Sequence, residues 1–326
     1  MFRFELNRFE GGNIKKIIIS NAILFLLTLI IFEIISFFVI LFRYYPVIQN
    51  GDAWSSWKSW FSLKQLCQVE DATTSYLFPY RYKGTEDSAV VLLGCSYAWG
   101  AGLKYSDKPS SQLAKYIKNT VYNKSICSTG TSSVLYIMSQ DKIKKEIPKA
   151  KYFVYIFLID HLRRNSVIMQ NHLYNQFSAK YALDKNGDLK FIKLNRLQYL
   201  FYSSYLYRLW EERKRFKQDE NDYLLFGAIM DKLSATIKEK YPDSEFIVLF
   251  YDDNFYNKNY MGHNKKLDDI CKRNNIKLIY TSDFKCGKDI FDKKYIGSDQ
   301  IHPTKEAWEK IIPEFVEVAG IKKRRR

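Results

Sequence analysis

From residue 88 onward the chain alternates short apolar runs with segments of helical spacing, and this alternation limits the folds open to it. Residues 89–93 (Ala-Val-Val-Leu-Leu) end at Gly94, and a brief continuous apolar run of this kind reads as a parallel strand buried on both faces. A helix is expected over 109–118, a strand at 121–123 and a helix over 132–145. Residues 152–159 (Tyr-Phe-Val-Tyr-Ile-Phe-Leu-Ile) form the strongest strand in the sequence. Leu225, Ile229, Leu233 and Ile237 then mark a helix over 221–240, followed by a strand at 246–250. A helix over 267–274, a strand at 276–280 and a helix over 304–318 close the pattern. Strands separated by helices predict a doubly wound α/β domain with a mainly parallel sheet. Residues 166–220 break the alternation and are expected to form an insertion. No internal repeat is evident.

A different pattern precedes the domain. Residues 17–42 are almost continuously apolar, interrupted by Ser20, Asn21, Thr28, Glu33 and Ser36. A helix of that length rises roughly 39 Å, enough to cross a hydrocarbon core with some tilt. The run is longer than the apolar region of a cleavable signal peptide, and no small-residue cleavage site follows it. Glu33 is awkward in such a span, because an intramembrane carboxylate is by default a functional or pairing site. Arg3, Arg8, Lys15 and Lys16 precede the run, and only Arg43 follows closely. The excess of basic residues then places 1–16 in the cytoplasm and the domain outside it. The expectation is a single-pass anchor in the cell membrane. Residues 43–87 carry Trp54, Trp57 and Trp60 at near-helical spacing, which suits either an interfacial helix or a core-facing stripe. The domain is expected over 88–320, and a basic tail occupies 321–326.

The formal net charge is +16. Lysine and arginine are spread along the chain, except for the C-terminal run 322–326, and no zinc-finger spacing, RNA-binding aromatic motif or basic zipper accompanies them. This argues against nucleic acid as a partner. The five cysteines (67, 95, 127, 271 and 286) include no C-x-x-C pair, so neither a metal site nor a disulfide framework is indicated.

In an open α/β sheet, ligands bind beyond the carboxyl ends of the strands. Three loops there are unusual. In Gly94-Cys-Ser-Tyr-Ala-Trp-Gly100 a serine lies two residues past a buried strand, where a tight turn presents its hydroxyl and its own amide to one spot. A capping serine in a polar turn is the plainer alternative. In Ser298-Asp-Gln-Ile-His302-Pro, Asp299 and His302 are spaced so that the carboxylate reaches the imidazole. Cys127-Ser-Thr-Gly130 supplies a glycine amide that can approach a ligand closely.

Together these residues resemble the SGNH, or GDSL-like, hydrolase superfamily. Ser96 matches the nucleophile of the first block, with Cys95 in place of the family's aspartate. Gly130 matches the second-block glycine, and Asp299 and His302 match the final Asp-x-x-His. The resemblance implies a flavodoxin-like three-layer α/β/α fold and a Ser96–His302–Asp299 triad. It also implies an oxyanion hole built from the amides of Ser96 and Gly130. The third block departs from the family, because Ile159 stands where an asparagine donor is expected, beside Asp160. Either the hole has two amide donors, or His161, Arg163, Arg164 or Asn165 supplies the third. Asp160, His161, Arg163 and Arg164 are also substrate-binding candidates, the arginine pair suiting a carboxylate or phosphate.

The implied chemistry is acyl transfer through an acyl-enzyme, needing neither metal nor organic cofactor. The expected substrate is an acylated, most simply acetylated, extracytoplasmic glycan. Esterase and O-acyltransferase use the same triad and remain alternatives, with an acyl-donor protein in the membrane a candidate partner. A degenerate member that binds or assembles glycans without turnover is the reading from a different class.

Overall fold

The computed structural model describes residues 11–48, 80–126, 129–166, 169–171, 176–177, 180–192, 198, 204, 206–207, 220–252, 264–287, 289–297 and 302–324. Helix α1 (Gly11–Ile48) is 38 residues long. Its window Ile19–Ser36 has a mean hydropathy of 2.2. Over residues 19–39 every described side chain except Glu33 and Ser36 is exposed. A helix that turns leucine and phenylalanine outward on nearly all sides joins no protein core, and this one fits a signal anchor or a signal peptide.

Among the described residues, the folded domain begins with β1 (Tyr80–Tyr82) and β2 (Glu86–Gly94), followed by the one-turn helix α2 (Ser96–Trp99). Then come α3 (Pro109–Tyr116), β3 (Asn119–Asn123), α4 (Thr131–Ser139), α5 (Asp141–Glu146), β4 (Ala150–Phe157) and α6 (Asp160–Ser166). Among the described residues of the insertion lie two small antiparallel pairs, β5 (Met169–Asn171) with β6 (Gln176–Phe177), and β7 (Tyr181–Leu183) with β8 (Leu189–Phe191). The chain continues through α7 (Glu220–Lys240), β9 (Glu245–Phe250), α8 (Lys265–Arg273), β10 (Lys277–Tyr280) and α9 (Lys305–Ala319).

Among the described residues, six strands form one sheet in the order β1-β3-β2-β4-β9-β10. Every pairing is parallel except β1 with β3. Taken in chain order, the parallel strands are arranged 2-1-3-4-5, the flavodoxin-like order. The expected doubly wound α/β architecture is therefore present. Because side chains alternate across a strand, each strand feeds both faces. Val91, Leu93, Phe153, Tyr155 and Phe157 meet Val134 of α4, Leu162 of α6 and Phe226 of α7. Val90, Leu92, Val154 and Ile156 meet Tyr97 of α2, Leu113 of α3 and Trp308 of α9.

Three details depart from the sequence pattern. The sheet starts at β1, within a stretch that shows no strand alternation, because three residues are too short to display a period. The helix expected over 132–145 is two helices, since Gln140 adopts extended backbone (φ −71°, ψ 134°) between them. That step turns both Ile143 and Ile147 into the core. Finally, β4 stops at Phe157 although the apolar run reaches Ile159. Leu158 and Ile159 are buried in the turn into α6, so their apolarity records burial and not extended backbone. The tryptophans at 54, 57 and 60 lie outside the described residues.

Candidate active site

Ser96 sits at the carboxyl end of β2, beside β4, which is the switch point of the strand order. The turn that puts it there is built by two glycines. Gly94 has φ +142°, and a Cβ on it would lie 2.8 Å from both the Ala98 Cβ and the Ile156 carbonyl oxygen. Only glycine combines that backbone conformation with so close an approach to β4. Gly100, left-handed at φ 74°, ends α2 after a single turn, and its amide bonds the carbonyls of Ser96 and Tyr97. Cys95, between strand and serine, is fully buried in the core. The amide of Ser96 lies in the first turn of α2, where an N–H has no intrahelical acceptor.

His302 arrives from the opposite end of the chain, held by backbone bonds among the described residues around it. The amide of Gly297 donates to the His302 carbonyl (2.7 Å), and that of Thr304 donates to the Tyr295 carbonyl (2.9 Å). The Thr304 hydroxyl then caps α9 through the Ala307 amide. So held, the His302 Nε2 lies 2.7 Å from the Ser96 Oγ. The buried Tyr97 ring is 5.3 Å from the imidazole and packs in turn on Tyr251 at 5.2 Å. Asp299, expected to orient the histidine, lies outside the described residues, as do Cys127 and Ser128.

The Gly130 loop is tied to the serine turn by backbone and by one asparagine. The Ile126 amide donates to the Gly94 carbonyl (3.0 Å). Buried Asn123, at the end of β3, donates to the Ala98 carbonyl (3.0 Å) and to Ser110 (3.1 Å), and accepts from the Ser125 amide. Gly130 itself lies against α6, where an added Cβ would meet the Arg164 Cβ at 2.8 Å and the Asn165 Oδ1 at 3.0 Å. Asn165, fully buried, accepts from the Ser132 amide (2.9 Å). It thereby caps α4 from a different helix, a task that the N-cap residue Gly130 has no side chain to perform.

The rest of α6 grips the same loop. The Asp160 carboxylate accepts from Arg163 Nε (2.9 Å) and Arg164 Nε (2.6 Å), and Arg164 also donates to the Thr129 carbonyl. These side chains are at most 11% exposed, so the two guanidiniums share one buried counter-charge. His161 has no exposed surface with which to meet a substrate. Its Nδ1 bonds the Tyr155 hydroxyl (2.7 Å), which bonds the Thr131 hydroxyl (2.8 Å). Burial, reinforced by the Arg164 guanidinium and opposed by Asp160, holds the imidazole well below its usual pKa. Burial likewise raises the Tyr155 phenol.

The structure thus joins Ser96 directly to His302 and sets Gly130 under α6. Asn123, Tyr155 and Thr131 went unnoticed in the sequence. An asparagine directly after Val121 and Tyr122, at the carboxyl end of the strand, was the available signal for Asn123; nothing local marked the other two.

No protein-family model matches the sequence, and no curated protein matches it. Solved structures of esterases do. The psychrotrophic esterase EstA from Pseudoalteromonas sp. is 12% identical, with 72% of this chain and 97% of that chain covered and a TM-score of 0.41. AlinE4, an SGNH-hydrolase family esterase, is 11% identical over 72% of this chain and 96% of its own, with a TM-score of 0.36. The acetyl xylan esterase Est2A from Butyrivibrio proteoclasticus is 9% identical over 71% of this chain and 63% of its own, at a TM-score of 0.39.

Proposed function

We propose that this protein is a membrane-anchored serine esterase or O-acyltransferase that acts on acyl groups, most simply acetyl, of extracytoplasmic glycans. The observation that carries the reading is the 2.7 Å contact between the His302 Nε2 and the Ser96 Oγ, formed at a switch point of the sheet by residues 206 positions apart. His302 takes the Ser96 proton as the Oγ attacks the ester carbonyl. The amides of Ser96 and Gly130 hold the tetrahedral oxyanion. Collapse expels the sugar hydroxyl, which leaves with the proton from His302, and an acyl-serine remains. Water or a second sugar hydroxyl, deprotonated by the same histidine, then takes the acyl group, and the proton passes from His302 to the released Ser96 Oγ. Asp299 is assigned to His302 as orienting acid.

The test uses the purified full chain with an aryl acetate. Ser96→Ala and His302→Gln are each expected to lower turnover by about 10³-fold or more. Equal rates for wild type and Ser96→Ala would reject enzymatic function on acetyl esters and leave the glycan-binding reading in its place. Adding an unacetylated glycan oligomer separates the two enzymatic outcomes, since acetylated oligomer forms only if the acyl-enzyme accepts a sugar hydroxyl.

A further inference from the structure

A carboxylate inside a bilayer is costly unless something bonds it. Of the described side chains over residues 19–39 of α1, only Glu33 and Ser36 are not exposed; Glu33 is half-buried and Ser36 is 3% exposed. They are three residues apart and so share one face of the helix. What bonds Glu33 comes from far along the chain. The Ser204 hydroxyl donates to the Glu33 Oε2 at 3.0 Å, and the Leu206 amide donates to the same oxygen at 3.2 Å. The Ser204 hydroxyl also accepts from the Tyr207 amide, so it shapes the local turn while it holds the carboxylate. Leu206, next to this polar contact, is 44% exposed.

Glu33 lies about 5 Å beyond the midpoint of residues 17–42, at 1.5 Å per residue, toward the domain. That leaves it roughly 10 Å below the edge of a hydrocarbon core about 30 Å thick. Whatever bonds it must enter lipid. The sequence of 197–208, Leu-Gln-Tyr-Leu-Phe-Tyr-Ser-Ser-Tyr-Leu-Tyr-Arg, contains no acidic residue and is dominated by leucine and aromatic side chains. Arg196 and Arg208 bound it. Apolar and amphipathic aromatic residues between arginines have the composition of an element that lies about 5–10 Å deep at a membrane surface.

We propose that the insertion makes a second membrane contact: Ser204 and Leu206 bond Glu33 within the lipid, which seats the domain against the bilayer. Its partner is the acyl-chain region of phospholipid. The inference rests on the reading of α1 as a membrane anchor.

The test reconstitutes the full chain in phosphatidylcholine–phosphatidylglycerol vesicles doped with a phospholipid that carries a diazirine on its acyl chain. After irradiation, tryptic peptides are read by mass spectrometry. Peptides 17–43 and 197–208 should both be labelled, each at least about fivefold above peptide 152–163, which is largely apolar but buried in β4 and the start of α6. Glu33→Leu should cut labelling of 197–208 by about threefold or more and leave 17–43 unchanged, whereas Glu33→Gln, which keeps an acceptor oxygen, should retain it. Labelling of 17–43 with 197–208 at background overturns the second contact while the anchor stands. No labelling of 17–43 overturns the anchor and, with it, this proposal. Unchanged labelling of 197–208 in Glu33→Leu overturns the role given to Glu33.

Discussion

His161 shows how a residue beside a candidate site can serve the scaffold. Its imidazole is fully buried and bonded to Tyr155, and its pKa is well below the usual value near 6.5. Above that value the ring is neutral in both folded and unfolded chains. As the pH falls below it, the unfolded chain takes up a proton that the folded chain refuses. Stability is therefore lost toward acid, by about 1.4 kcal/mol per pH unit for one proton. In urea unfolding between pH 7.5 and pH 5, wild type should lose more stability than His161→Gln, and parallel losses would show that the histidine is not the group responsible. At this scale the sequence was only partly legible. Ser96 and His302 stood out because their motifs pair a nucleophile with a base. The burial of His161 did not, because Asp160, His161, Arg163 and Arg164 look identical in sequence whether they face water or one another.

Among the elements, α6 carries more than its seven residues advertise. Through Asn165 it caps α4, through Arg164 it holds the Thr129 carbonyl, and through its backbone it lies against Gly130. Asn165→Ala should cost about 1 kcal/mol, as for loss of a helix cap, read as a lowered thermal midpoint. If the Gly130 amide stabilises the oxyanion, the same variant should lower kcat more than it raises KM; a change confined to KM would place Gly130 outside the transition state. The cap could not be read locally, because donor and acceptor are 33 residues apart. The element pattern itself was legible wherever runs were long. It failed at β1, which is too short to show a period, and at Gln140, where a helical pattern conceals a break that two inward isoleucines require.

For the whole molecule, the decisive asymmetry is between α1 and the domain. One exposes apolar side chains almost all round, and the other buries them in two layers about a twisted sheet. The basic residues before α1 predict an outward-facing domain. Trypsin added to right-side-out spheroplasts of an expressing bacterial host should degrade the domain, and sealed inside-out vesicles should protect it; the reverse pattern would invert the topology. The insertion has a further consequence, for assembly of the sheet. β9 pairs in parallel with β4 only after the intervening stretch 158–244 has been closed into a loop. Loop-closure entropy grows only logarithmically with length, so residues 166–220 add about 1 kcal/mol to that closure. A sheet that tolerates so long a detour at so small a penalty leaves this segment open to change in length while the strand order, and the Ser96–His302 pair at its switch point, stay as they are.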